Sequence, residues 1–221
     1  MTLVRLLNWV RSPLKSALNF GTRSGWLSLL VWLAAISPAH AALELRIAIE
    51  DGVNQVTVGS STKAAVLDGS GRPLGEIAAM NAFVAKPTSG GVALDQWKSG
   101  QIWVQPSGDG YVYIGNRWYR GKTLVVPTSK GLTAVNYVDL EHYLASVLGG
   151  EMSGGWPQEA LKAQAVAARS YALYQRQRGA NSVYDLGDTA AWQVYDGVED
   201  ESVGTQMAVK ATAGQVLTYN G

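Results

Sequence analysis

Near Asn136 the apolar residues of this chain change period, and that change limits the possible fold more than any other feature. Before it, residues 43–135 read as β-rich. Leu43–Ile49, Val53–Val58, Ala64–Leu67, Gln101–Gln105, Tyr111–Ile114, Arg117–Arg120 and Lys122–Val126 are short strand-like runs. Turn clusters at 68–71, 89–91 and 106–110, with Gly115-Asn116 and Gly121, punctuate them. After the change, Leu140, Tyr143, Leu144 and Val147 make one helical stripe, with Asp139 placed to cap it and Gly149-Gly150 placed to end it. A second helix starts at Pro157, where a missing N–H costs little, and runs alanine-rich through Tyr174 towards Gly179. Thr205–Ala213 reads as a short helix and Gly214–Tyr219 as a strand. Strands followed by helices predict an α+β fold: a β-rich N-terminal half, as a small barrel or antiparallel sheet, then a helical hairpin-like core with short strands. Asn220-Gly221 commonly turns one strand into the next, so the C-terminus reads as truncated.

Ahead of this pattern lies a leader. Residues 1–41 hold Arg5, Arg11, Lys15 and Arg23 and no acidic residue, followed by the uncharged run Trp26–Ile36 and then Ala39-His40-Ala41. A basic start, a short apolar run and a small–x–small site describe a secretory signal peptide. The run of eleven is short for a membrane span, which needs about 20 apolar residues. An uncleaved N-terminal anchor is the alternative. Loss of the leader removes four of the 18 basic residues, leaving 14 against 17 acidic ones, a net charge of −3. The expected location is outside the cytoplasmic membrane, in the periplasm or cell envelope. Wall polymers, peptides and sugars are the substrates to be met there, and ATP and nicotinamide cofactors are scarce.

Composition narrows the chemistry. Charged residues make up 16% of the chain, against roughly 25% in an average soluble one, and no Lys/Arg-rich run marks a nucleic-acid surface. There is no cysteine, hence no disulfide, thiolate metal site or thiol nucleophile. With His40 and His142 the only histidines, no metal or cofactor is expected, and catalysis must rest on carboxylates, hydroxyls, Lys or Arg.

Glu151 stands out because it lies on the Gly-rich link Glu151–Pro157, beside Trp156 and just before a helix start. Rigidly held loops collect functional groups, and an apolar neighbour suits a general acid; a plain helix cap is the competing reading. Lys162 and Arg169 are seven apart on the second helix, about 10 Å along one face, where they could hold Glu151 or an anionic sugar substituent, or lie on a solvated face. His142 falls beside the apolar stripe. Asp185, Asp188 and Asp196 lie in an aromatic loop and offer a second carboxylate or turn chemistry. Trp97, Trp103, Tyr111, Tyr113, Trp118 and Tyr119 read as β-core.

The string from Val135 to Leu144, then Val147, Glu151-Met152, Trp156-Pro157 and Glu159–Ala172, resembles the stage II sporulation protein D (SpoIID/LytB) family. Tyr119–Gly121, Gln193–Gly197 and Ala208–Leu217 extend the resemblance over residues 117–221. The expected organisation is a leader at 1–41, a β-rich region at 42–116 and a SpoIID-like domain at 117–221. The resemblance implies action on peptidoglycan. One branch of the family comprises lytic transglycosylases of peptide-stripped glycan strands; the other is described as enhancers of N-acetylmuramoyl-L-alanine amidases. It also implies Glu151 as catalytic acid, with Lys162 and Arg169 positioning it or a substrate carboxylate; Trp156, on the same link as Glu151, is a further candidate for substrate binding. Some members carry Cys and His before the Gln-Val-Tyr element, where this chain reads Asp188–Trp192, so a structural metal is not expected.

Overall fold

The computed structural model describes residues 43–220, so the leader at 1–41 lies outside the described residues. The chain from 44 to 139 forms twelve strands: β1 (Glu44–Val53), β2 (Val56–Ser60), β3 (Ala64–Asp68), β4 (Pro73–Ile77), β5 (Asn81–Thr88), β6 (Gly91–Leu94), β7 (Trp97–Ser99), β8 (Ile102–Pro106), β9 (Val112–Ile114), β10 (Arg117–Tyr119), β11 (Lys122–Thr128) and β12 (Gly131–Asp139). Three helices follow, α1 (Leu140–Glu151), α2 (Gln158–Arg178) and α3 (Val203–Ala211), with a two-residue strand β13 (Leu186–Gly187) and a 3-10 turn at Gly197–Asp200 before α3. The class is mixed α+β: two sheets, then three helices.

One sheet has seven strands in the order β13-β1-β12-β11-β8-β3-β4, the other six in the order β10-β9-β2-β5-β6-β7. β1 runs antiparallel to β12, with Leu45 opposite Val138 and Ile47 opposite Asn136. This pairing joins the first strand of the described residues to the strand that feeds α1. Leu132 to Asn136 is buried without alternation, because β12 is covered on both faces. Strands β4 to β7 were not marked by a clean period of two in the sequence. β5 reads Asn81-Ala-Phe-Val-Ala-Lys-Pro-Thr88 and buries only Ala85 and, partly, Phe83.

Of the six aromatic residues read as core, Trp97 and Tyr119 are buried and the other four are half-buried. They pair at the surface instead: Trp103 meets Tyr137 edge-on at 4.6 Å between centroids, and Tyr113 meets Trp118 at 5.0 Å.

Helix α1 starts without a linker. Asp139 ends β12 and caps α1, its carboxylate accepting from the N–H groups of Glu141 (2.9 Å) and His142 (3.3 Å). Gly149-Gly150 does not stop the helix, contrary to the sequence expectation; α1 continues to Glu151. The glycines are there for closeness. A side chain at Gly149 would strike the carbonyl oxygen of Asp200, and one at Gly150 would press on the Asp200 carboxylate at 3.2 Å. The 3-10 turn therefore lies directly on the last turn of α1.

Along α2, Leu161, Ala165, Ala168, Arg169 and Ala172 make the buried stripe, and Gly179 closes the helix at φ +65°. α3 opens with a reciprocal Ser202–Thr205 cap. Residues 214–219 join no strand ladder, although their sequence reads as a strand. They lie along α2, where the Leu217 N–H donates to Ser170 Oγ at 2.8 Å and Arg169 donates to the Gln215 carbonyl at 3.1 Å. A helix offers side-chain partners but no strand edge, so a strand-like sequence beside it stays unladdered.

Candidate active site

Glu151 is the last residue of α1 and is exposed. It joins no ion pair among the described residues. Its backbone is fixed nonetheless. The next N–H, from Met152, closes on the Leu148 carbonyl at 2.8 Å, and the Trp156 N–H bonds the Ser153 carbonyl at 3.0 Å. Beneath the loop, Gly154 abuts Ser202 and Gly204 so tightly that neither glycine position has room for a Cβ. Gln158 ties the loop to α3 again by donating to the Gly204 carbonyl at 3.3 Å. Trp156 follows on the same link with 53% of its surface exposed. A free carboxylate and a free indole thus sit on one anchored loop, five residues apart.

The two cations do not join Glu151 in a cluster. Lys162 pairs with Glu159 at 2.7 Å, one turn back on its own helix. Arg169 is 1% exposed and holds Glu141 through two bonds, Nε to Oε1 at 2.8 Å and Nη2 to Oε2 at 2.6 Å. It also donates to the carbonyls of Val209 and Gln215 and to Thr212 Oγ1. Glu141 lies ten residues before Glu151 on α1, about 15 Å along the axis. Arg169 therefore binds α1, α2, α3 and the segment after α3 together, at the far end of the helix from the candidate acid.

The three loop aspartates part ways too. Asp185 is buried and takes three bonds from Arg46 on β1, two from its guanidinium and one from its backbone N–H. Asp196 pairs with Arg117 at 2.6 Å. Asp188 is half-buried and has no such partner among the described residues; burial, then repulsion from Glu50 and Asp196, pushes its carboxyl up to about 6. Asp200 is raised by the same causes, burial first and Asp196 second. Tyr195, beside Asp196, meets Tyr119 and Tyr143 at tilted angles with ring centroids 5.3 and 4.8 Å away, and burial drives all three hydroxyls up. No three His, Cys, Asp or Glu residues come together to hold a metal ion among the described residues.

Sequence reasoning passed over Glu141, the partner of Arg169, and the Arg120–Glu201 pair, two-pronged at 2.7 and 2.8 Å. Partners 28 and 81 positions apart leave no periodic trace, so no local signal marked them.

Comparison with known proteins places this loop in context. Residues 128–219 match the family model described as SpoIID, stage II sporulation protein. An uncharacterized protein of Brachyspira hyodysenteriae is 40% identical over 114 residues, covering 51% of this chain and 31% of that protein. An amidase enhancer of Bacillus subtilis is 44% identical over 78 residues, 35% of this chain and 10% of the enhancer. Stage II sporulation protein D of the same organism is 34% identical over 104 residues, 39% of this chain and 30% of that protein. The matched part spans less than a third of each of these relatives.

Proposed function

The chain carries a SpoIID family domain, and from that premise we propose that it is an exported peptidoglycan lytic transglycosylase acting on peptide-stripped glycan strands. Glu151 is the catalytic acid. Protonated, it gives its proton to the oxygen joining N-acetylmuramic acid to N-acetylglucosamine, and the C1–O bond breaks through an oxocarbenium-like transition state. The C6 hydroxyl of the same muramic sugar then bonds to C1, and the Glu151 carboxylate takes the hydroxyl proton. The products are a 1,6-anhydro end and a free 4-hydroxyl. No water enters, so one carboxylate serves as acid and then as base, and no cofactor is called for.

The observation that carries this reading is the contrast between a rigid loop and an unpaired, exposed Glu151 upon it. Trp156 offers an exposed aromatic face of the kind sugar rings stack on. Lys162 is half-exposed on the next helix and meets an anionic sugar substituent by leaving its weak surface pair with Glu159. Arg169 acts at a distance as a positioning residue, holding α1 through Glu141.

The test is Glu151→Gln incubated with peptide-stripped glycan strands, with anhydro ends counted by mass spectrometry. General acid catalysis is typically worth ~10²–10⁴-fold, and a loss of that size is expected. Undiminished release by the variant removes Glu151 from the mechanism.

A second reading rests on the name of the Bacillus subtilis amidase enhancer. In it the protein binds the wall, does no chemistry and stimulates an N-acetylmuramoyl-L-alanine amidase. Adding an amidase to the same assay separates the two: release that depends on the amidase, with no anhydro ends, supports the enhancer.

A further inference from the structure

At the other end of α1 lies a groove of about 440 Å³ that the reaction above does not use. One wall is the first turns of α1, with His142 and Ala145; the other is α3, with Val209 and Lys210, continued by Ala213 just after the helix. Its floor is the Arg120–Glu201 pair. A second hollow of about 390 Å³ shares Arg120 and His142 with it, so the groove runs on towards Lys122 on β11 and Tyr137 on β12.

The charges here do not cancel evenly. Both carboxylates in the groove are already satisfied. Glu141 is held by the buried Arg169, and Glu201 takes two bonds from Arg120 and a third from Gln206 Nε2 at 2.9 Å. Lys210 is exposed and joins no ion pair among the described residues, and His142 is exposed on the facing wall. What remains for a ligand is one ammonium and one imidazole above small apolar walls. No Phe, Tyr or Trp among the described residues lines the main groove, which argues against sugar stacking, and its volume is far larger than a lone ion needs. A free carboxylate attached to a chain of methyl-sized side chains matches both the charge and the walls.

We propose that this groove is a peptide-binding site, separate from Glu151, that takes the free carboxylate end of the short peptide branch of wall polymer. Lys210 and His142 hold the carboxylate; Ala145, Val209 and Ala213 pack on alanine-sized side chains. The identity of the peptide rests on the wall-acting reading above. The consequence is that the protein grips peptide-bearing wall with one end of α1 while presenting Glu151 at the other.

The test uses the full chain and a fluorescein-labelled tetrapeptide Gly-Ala-Ala-Ala, as free acid and as C-terminal amide, read by anisotropy. The acid is expected to bind at least tenfold more tightly than the amide. Lys210→Gln is expected to erase that preference, and Ala213→Trp, at an exposed position, to fill the groove and abolish binding with an unchanged circular dichroism spectrum. Peptides released from sacculi by an amidase are expected to compete, and Glu151→Gln to bind as the parent does. Equal binding of acid and amide overturns the proposal, as does competition by peptide-free glycan strands. Loss of the acid preference with glycan cleavage intact sinks the groove alone; peptide binding with no cleavage by the parent sinks the Glu151 reading alone.

Discussion

The two ends of α1 are built on opposite principles, though twelve residues of one helix join them. At the N-terminal end the acidic groups are engaged: Asp139 caps the helix, and Glu141 is clamped by a guanidinium that is 1% exposed. At the C-terminal end Glu151 joins no ion pair among the described residues, while the backbone beneath it is pinned by glycine contacts to the 3-10 turn and to α3. Charges that hold helices together are consumed in doing so. A charge meant for a ligand must be left over, and its rigidity has to come from the backbone.

Substitutions sharpen this contrast, beginning with the largest expected effect. Arg169→Ala leaves the interior with an unmatched cavity and strips Glu141 of its partner. The loss of unfolding free energy should reach about 3–5 kcal/mol, measured by urea denaturation. An effect under about 1 kcal/mol would show that the N-terminal clamp is not what holds α1. Gly149→Ala forces a methyl against the Asp200 carbonyl and should cost about 1–3 kcal/mol. It should also lower glycan cleavage, because Glu151 moves with the last turn; a neutral result would mean that the 3-10 turn does not fix that end.

The next effect depends on pH. The Asp188 carboxyl titrates at about 6 in the folded protein, above its ordinary value of 3.8. Its contribution to stability is therefore complete below about pH 4 and is lost as pH rises through 6. Asp188→Asn should add on the order of 1–2 kcal/mol at pH 7.5 and nothing near pH 4, after allowing for partial screening by solvent. A gain that is the same at both pH values would contradict this account.

Asp139→Ala removes the α1 cap and should cost about 1 kcal/mol by thermal denaturation. The smallest change is expected for Glu151→Gln, within about 0.5 kcal/mol of the parent, since nothing in the fold leans on that carboxylate. A large destabilisation there would erase the difference between the two ends and make Glu151 a structural residue.

The sequence disclosed the elements whose cause is local. Asp139 before an apolar stripe, Pro157 and Gly179 around an alanine-rich run, and the turn glycines among β8 to β11 marked boundaries that the structure keeps within a few residues. It misled where the cause is a neighbour. Gly149-Gly150 looks like a stop but is a contact surface for Asp200, and 214–219 looks like a strand but lies against a helix. The same holds at the site. Glu151 and Trp156 could be singled out because the loop that carries them is continuous in the chain. Arg169 shares a helix face with Lys162 on paper, yet its length and burial turn it to Glu141.

By itself, then, the sequence determined the succession of a β-rich half and a helical half, the capped start of α1 and the family string from Val135 to Ala172, because each is written in continuous stretches of the chain. Only the tertiary structure decided which carboxylates are paired and which, Glu151 among them, join no ion pair among the described residues. Ion pairs such as Glu141–Arg169, Arg120–Glu201 and Arg46–Asp185 close over 28, 81 and 139 positions, and desolvation selects among many possible partners only when the chain has packed.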